Sequence, residues 1–346
     1  MASISLLNTR TMLEALEELR TPNTFLLRKF FSAQRECTTK AVDIDIYKGK
    51  RRVAAYVNRR AQGQVIDRAG YSTYTYEPPY VKPKMVTTVE DLLVRQPGEI
   101  VYSGNQNSAS RAAIQLGKDL AELDAIITRA EELQAMQALF DGAVQVLDKD
   151  GEEVVADIDF QRSDSHTIDL TETGEVTWDE SGATPLEDIR TWKRLIAKDA
   201  GIGADIAILG SSVADEFLKN ADVRAVLDNR RMEFGNLIME AQELGVTLFG
   251  VIEGVAYYAY DEWYVDPATG TETELVPAKK VLLGSTKARC ERVYGVIEDA
   301  EGVFAVSRFP KTWTENDPSV RLLQLHSAPL VVPVQVDGFV VATVLD

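Results

Sequence analysis

Six basic and three aromatic side chains form the most chemically capable stretch of this chain: Lys50, Arg51, Arg52, Arg59, Arg60 and Arg68, then Tyr74, Tyr76 and Tyr80. From Lys48 to Arg68 seven basic residues stand against one acid, Asp67, a local charge of +6. Guanidinium groups bind anions, and tyrosines offer a flat ring with a polar tip. One chemistry open to this set is stacking of single-stranded bases over a basic groove. The other is protein docking, with rings paired across strands or pressed against a neighbouring subunit. A counterpart lies in the same chain, because from Asp148 to Asp188 fourteen acids stand against Lys149 and Arg162, a local −12. Opposite charges on two copies favour their encounter. The plainer reading of the same counts is two solvated faces that never meet.

Catalysis has far less to work with. The chain has only two histidines, His166 and His326, and neither has a Cys or His at ligand spacing, which argues against zinc. No G-x-S-x-G elbow and no G-x-x-x-x-G-K-[ST] loop occurs. Gly201-Ile202-Gly203 precedes a strand instead of following one, the wrong order for a dinucleotide fold. Asp148-Lys149-Asp150-Gly151 resembles the start of a calcium loop, but Gly falls fourth instead of sixth and Asp159 stands where a bidentate Glu is needed. Carboxylates number 54, too many for any one pair to be singled out as acid and base. No catalytic, metal or cofactor site is expected.

The element that must position everything else is the stretch from Asn107 to Phe140. Leu116, Leu120, Leu123, Ile127, Ala130, Leu133 and Phe140 fall in steps of three, four or seven, one stripe of an α-helix. No Pro interrupts it, Asn107, Ser108 or Ser110 suits its start, and Gly142 suits a left-handed cap beyond its end. Such a rod is about 50 Å long. Lys118, Asp119, Glu122, Arg129 and Glu132 mark a polar opposite face, so it is expected to be buried on one side only.

Around this spine, residues 41–86 read as a long two-stranded extension. Val42, Ile44 and Ile46 alternate with acids, Val53, Ala55 and Val57 resume the alternation, and glycines and prolines bound the whole. An isolated ribbon is marginal in water, so it needs a neighbour to lie on. Ala143–Leu147 and Glu153–Phe160 predict a hairpin. From Thr184 the texture turns α/β: a helix capped by Thr184 and opened by Pro185, a buried strand at Ile206–Leu209, helices at Ser211–Leu218 and Val223–Arg230, then strands at Val246–Ile252 and Val255–Tyr260. Asp261–Pro277 reads as a polar loop, and Lys280–Leu283 as a strand. Residues 290–346 predict mostly strands, at Val293–Ile297, Val303–Arg308, Leu322–His326, Val331–Val336 and Phe339–Leu345, returning beside the spine.

At 346 residues and 45% apolar content the chain supports a globular protein of two or more lobes. No apolar run is long enough to span a membrane, and the start lacks the pattern of a signal peptide. Cys37 and Cys290 alone do not make a disulfide framework. A net charge of −17 argues against general nucleic-acid binding.

A set of blocks, in order along the whole chain, resembles the lambda-like head proteins of tailed phages, phage capsid family E. They are Gln64-Val65-Ile66-Asp67-Arg68 with Ser72-Thr73, Pro79-Tyr80-Val81-Lys82-Pro83-Lys84, Leu283-Gly284-Ser285-Thr286-Lys287-Ala288-Arg289, Arg308-Phe309-Pro310-Lys311-Thr312-Trp313, Asp317-Pro318 and Ser327-Ala328-Pro329-Leu330. The stretches 161–184 and 261–277 match weakly. The resemblance implies an α+β chain of the Hong Kong 97 type: N-terminal arm 1–40, extended loop 41–86, peripheral domain 87–183 with spine helix 107–140, axial domain 184–289, and return strands of the peripheral domain with a C-terminal segment over 290–346. It further implies a virion shell of hexamers and pentamers around double-stranded DNA held without sequence recognition, assembled in the host cytoplasm with a scaffolding protein and a portal, and dressed by a decoration protein. No processed N-terminal segment is expected, which fits a separate scaffold. No lysine lies between Arg51 and Val81, so the covalent crosslink of some relatives is not expected. Two alternatives stand beside this reading: an encapsulin-like shell, distinguished by its cargo, and a soluble carboxylate-dependent hydrolase, distinguished by elution as a small monomer.

Overall fold

The computed structural model describes Met12 and residues 24–47, 62, 71–88, 90, 108–148, 153–226, 245–266, 269–300, 302–317 and 319–346. Its helices are α1 (Phe25–Phe30), α2 (Ser108–Phe140), the single turn α3 (Leu170–Thr173), α4 (Pro185–Asp199) and α5 (Ser211–Lys219). The first strands are β1 (Ala33–Glu36), β2 (Val42–Tyr47), β3 (Tyr71–Tyr76), β4 (Lys84–Thr88), β5 (Ala143–Leu147), β6 (Val154–Asp159), β7 (Thr167–Asp169) and β8 (Ile206–Leu209). Then come β9 (Val246–Ile252), β10 (Val255–Tyr260), β11 (Trp263–Val265), β12 (Glu272–Glu274), β13 (Lys280–Gly284) and β14 (Glu291–Tyr294). The last are β15 (Ile297–Asp299), β16 (Gly302–Phe304), β17 (Phe309–Asn316), β18 (Ser319–His326), β19 (Pro329–Val332) and β20 (Phe339–Thr343).

The largest layer is a six-stranded mixed sheet in the order β7-β20-β13-β8-β10-β9. Its central strand β8 is Ile-Ala-Ile-Leu without a polar residue because both faces are covered. Ala207 and Leu209 face a core built with Trp192 and Ile196 of α4 and Val213 and Phe217 of α5. Ile206 and Ile208 face a second core built with α1 and with Leu139 and Phe140 of α2. The sheet takes in β7 from before the change of texture at Thr184, and β20 from the chain's last residues.

The spine helix runs from Ser108 to Phe140, and Gly142 beyond it has the left-handed φ of 71° that its position calls for. Arg162 closes the helix end by donating to Leu139 O and Phe140 O, each at 2.7 Å. Leu120, Leu123 and Ile127 pack on Leu323 and Leu325 of a three-stranded sheet, β17-β18-β4, together with Met12. Farther along, Ala135, Met136, Leu139 and Phe140 join the second core while Ala138 joins a third with Val144, Ile158, Val293 and Leu330.

Burial on one side only is therefore corrected. Lys118, Glu122 and Arg129 are exposed as expected, but Asp119 and Glu132 of the same supposed face are buried. Asp119 accepts from Gln115 and Thr87, and Glu132 receives the start of α1. The last two turns of the spine are wrapped by α1, the six-stranded sheet and the β5–β6 hairpin, which leaves only Leu133 and Gln137 partly exposed there.

Four other expectations change. The ribbon at 41–86 is real where β2 pairs with β3, from Val42 opposite Tyr76 to Tyr47 opposite Tyr71, but Lys84–Thr88 leaves it to pair with β18. The neighbour it lies on is its own chain, through Val42, Ile44 and Tyr76. The polar loop 261–277 contains the β11–β12 hairpin. A strand at Val303–Arg308 shrinks to Gly302–Phe304, while the eight-residue strand β17 begins at Phe309 and tolerates Pro310 because it lies at the edge of its sheet. Pro185 opens α4 as expected, yet Thr184 makes no side-chain cap and contributes only its carbonyl, to Glu187 and Asp188. The helix expected at Val223–Arg230 is described to residue 226, and the strand at Val53–Val57 lies outside the described residues.

Candidate subunit interface

Lys50, Arg51, Arg52, Arg59, Arg60 and Arg68 lie outside the described residues. The strands on either side of them in sequence are described, and Tyr47 and Tyr71 at their ends are cross-strand partners. The three tyrosines part ways. Tyr76 is a core side chain: its ring stands edge-on to Phe160 at 5.7 Å, its hydroxyl donates to Asp159 O at 3.4 Å, and burial pushes the phenol up to about 12. Tyr74, half-buried, stacks on Tyr76 at 6.3 Å. Placement two residues apart on one strand puts both rings on the same face, and that face is turned inward. Surface docking by Tyr76 is therefore corrected to core packing.

Tyr80 alone keeps an exposed ring. Its hydroxyl lies 2.6 Å from His326 Nδ1, and the two rings meet edge-on. The Phe309 ring also meets the imidazole edge-on, burial holds His326 below its ordinary pKa, and Nε2 has no partner among the described residues. Beside them opens a cavity of about 420 Å³ lined by Pro78, Tyr80, Lys82, Glu298, His326 and Ala328.

The strongest electrostatics sit where sequence reasoning did not look. Asp124, Thr128 and Glu131 stand at i, i+4 and i+7 on the spine, one stripe of the helix. Arg308, the first residue of the Arg308–Trp313 block, answers all three. Its Nε donates to Asp124 Oδ1 at 2.8 Å, one terminal nitrogen to Glu131 Oε1 at 2.6 Å and the other to Thr128 Oγ1 at 3.4 Å. Ser327 Oγ accepts a further bond at 3.1 Å, and the guanidinium lies 5.8 Å from the Tyr294 ring centre. Burial opposes the charge, but Glu131 and Asp124 outweigh it and hold Arg308 above the ordinary arginine value. Arg292 stands 3.8 Å from the other oxygen of Glu131, and Tyr294 donates to that oxygen at 3.2 Å.

One residue on, Glu132 takes a different set of donors. Its two oxygens accept Leu26 N at 2.8 Å and Leu27 N at 3.0 Å, and Tyr260 donates its hydroxyl at 3.0 Å. A carboxylate thus satisfies the free N–H groups at the start of α1 from another helix. Burial raises its pKa, with the four hydrogen bonds to Leu26, Leu27, Tyr260 and Phe25 pulling the other way.

His166 is enclosed, with Nδ1 at 3.0 Å from Phe339 O and Nε2 at 3.2 Å from Asp199 Oδ2. Cys290 is buried, which pushes its thiol up, away from the reactive thiolate. Among the described residues no group of three or more His, Cys, Asp or Glu is placed to hold a metal ion. The buried carboxylates Asp124, Glu131 and Glu132 join α1, α2 and the returning strands to one another.

The chain is 30% identical over 347 residues to the major capsid protein of Escherichia phage lambda, covering 97% of this chain and 98% of that one. To the major capsid protein of Enterobacteria phage phi80 it is 29% identical over 324 residues, covering 91% and 92%. The solved capsid protein of a prophage of E. coli CFT073 superposes with a TM-score of 0.72 at 22% identity, over 98% of this chain and 99% of the other. That likeness places the mixed helix-and-sheet arrangement among phage capsid folds. Residues 8–344 match the model of the family described as phage major capsid protein E, so this chain belongs to that family, one of structural capsid proteins and not of enzymes.

Proposed function

We propose that the chain is the repeating subunit of an icosahedral phage head, forming hexamers and pentamers around double-stranded DNA on the Hong Kong 97 plan. In that plan 1–40 is the arm, 41–86 the extended loop, 87–183 and 290–346 supply the peripheral domain, and 184–289 the axial domain. The observation that carries the proposal is the root of the loop. β2 and β3 are bolted to the subunit's own core by Val42, Ile44 and Tyr76, so the strands that precede and follow the basic residues 48–68 in sequence are fixed side by side. Lys50, Arg51, Arg52, Arg59, Arg60 and Arg68 are the residues we assign to contacts with a second copy, with Tyr80 beside them at the loop's return.

Function in such a subunit is interface geometry. Each surface ion pair contributes little, roughly 0–1 kcal/mol, but a closed shell repeats it at every equivalent contact. A net charge of −17 disfavours adhesion of packaged DNA to the protein, which suits a container better than a reader of sequence. Scaffolding protein and portal during assembly, and a decoration protein on the finished head, complete the set of partners. The open edges of the β2–β3 ribbon suit the last of these by strand addition. No described helix is long and apolar enough to cross a membrane.

Purified protein tests the reading directly. Sedimentation and negative-stain microscopy should show megadalton closed shells. Elution only as a small monomer, with scaffold co-expressed, would refute it.

A further inference from the structure

The β11–β12 hairpin exposes the wrong side chains for a free surface. Tyr264 anchors it, packing half-buried against the core that holds α1, whereas Trp263 on one side and Val265 on the other are 55% and 60% exposed. Pairing sets Glu274 opposite Trp263 and Glu272 opposite Val265. Residues directly opposite share a face, so the outward face reads Trp263, Val265, Glu272 and Glu274. Five acids (Asp261, Glu262, Asp266, Glu272 and Glu274) and no Lys or Arg lie between 261 and 278. A two-stranded ribbon with its largest apolar residue in water gains from being covered, and tryptophan is the side chain most enriched where binding energy concentrates.

The same sequence contains the matching surface. Residues 51–60 place Val53, Ala54, Ala55, Tyr56 and Val57 between the pairs Arg51-Arg52 and Arg59-Arg60. An apolar stretch carrying arginines at its ends complements an apolar pair with glutamates alongside it on the paired strand, in hydrophobicity and in charge. We propose that the outward face of the β11–β12 hairpin receives residues 51–60 of a second copy of this chain, Trp263 and Val265 meeting the apolar centre and Glu272 and Glu274 meeting the arginines. This rests on the shell reading and adds to it the surface that the basic loop engages. Glu274 already accepts Ser211 Oγ at 3.1 Å, which holds that carboxylate in place for a partner.

Charge exchange tests the pairing. Glu272→Lys with Glu274→Lys, and separately Arg59→Glu with Arg60→Glu, should each raise the concentration needed for half-assembly about tenfold or more, and the four changes together should restore most of it. The hairpin variant should keep the thermal unfolding of the wild-type subunit to within a few degrees, because Glu272 and Glu274 are exposed. Hydroxyl-radical footprinting of the wild type should show Trp263 reactive in the free subunit and protected in the shell. Failure of the fourfold variant to recover, or a Trp263 equally reactive in both states, would overturn the inference while leaving the shell reading intact. Protection already present in the free subunit would overturn it as well, by placing the contact within one chain. Absence of shells from the wild type would count against the shell reading instead.

Discussion

Replacing Arg308 with Met removes a guanidinium that two carboxylates, two hydroxyls and a ring have been arranged to hold. Met keeps much of the length and apolar stem, so the loss falls on charge and hydrogen bonding. Glu131 has 1% of its side chain exposed and Asp124 11%, so neither recovers its hydration when the cation leaves. Arg292 still faces Glu131 at 3.8 Å, which offsets part of the loss there and none of it at Asp124. Removing one partner of a buried pair costs about 3–5 kcal/mol, chiefly because the remaining charge is stranded. With Arg292 in place the lower half of that range applies, about 3–4 kcal/mol. Urea unfolding of dissociated subunits, followed by the fluorescence of the stacked pair Trp178 and Trp192, reads the change. Combining Arg308→Met with Glu131→Gln should then cost less than the sum of the two single changes by about 1 kcal/mol or more, since the second removes the stranded charge. A single-variant loss below about 1 kcal/mol, or strict additivity in the pair, would show that the cluster is solvated and not a clamp.

Leu123→Asp puts a carboxylate between the spine and Leu323 and should cost about 4 kcal/mol or more, so the variant is expected in the insoluble fraction; a soluble subunit with wild-type circular dichroism would contradict the packing. Burial raises the pKa of Glu132 in the folded state, so its contribution is fully present below its ordinary value of 4.5 and is lost as pH rises through the raised folded value. The stability of wild type minus Glu132→Gln, measured across that window by denaturant unfolding, should fall with rising pH, and a flat or rising difference would refute the assignment. His326 has the opposite sign: its pKa is lowered by burial, so its contribution is present in full above 6.5 and is lost as pH falls through the folded value. His326→Gln should therefore flatten the acid limb of the stability profile below pH 6.5, and an unchanged limb would show that the imidazole titrates freely.

Periodicity made legible whatever a local stretch of chain determines by itself. The stripe Leu120–Leu123–Ile127 and the all-apolar strand β8 were readable because burial on one face or on two leaves its own repeat in the sequence. Partners distant in sequence left no such trace. Glu132 looked like outer-face charge because nothing near it says that its acceptors serve the N–H groups of Leu26 and Leu27, more than a hundred residues earlier. Tyr76 looked like a docking ring because a strand's two faces are equivalent until something covers one of them, and here Phe160 does. Strand β17 was hidden by Pro310 and by its mixture of polar and aromatic residues, both tolerated at a sheet edge.

The Arg308 cluster stands between these cases, and the reason bears on how such a chain works. The stripe Asp124, Thr128 and Glu131 was visible as helical spacing, so a polar seam on the spine was open to prediction. Its answering arginine was not, since it comes 177 residues after Glu131. A buried polar seam with one charged partner would leave its carboxylates unsatisfied if the helix slid by a turn, so it penalises a change of register between helix and strands. The spine meets β18 through the apolar stripe and Arg308 through the seam, side by side on one helix. Packing energy and register are thus supplied by different residues of the same rod. In the proposed shell, the register set at Arg308 holds together the layers that carry the contacts assigned above to residues 48–68.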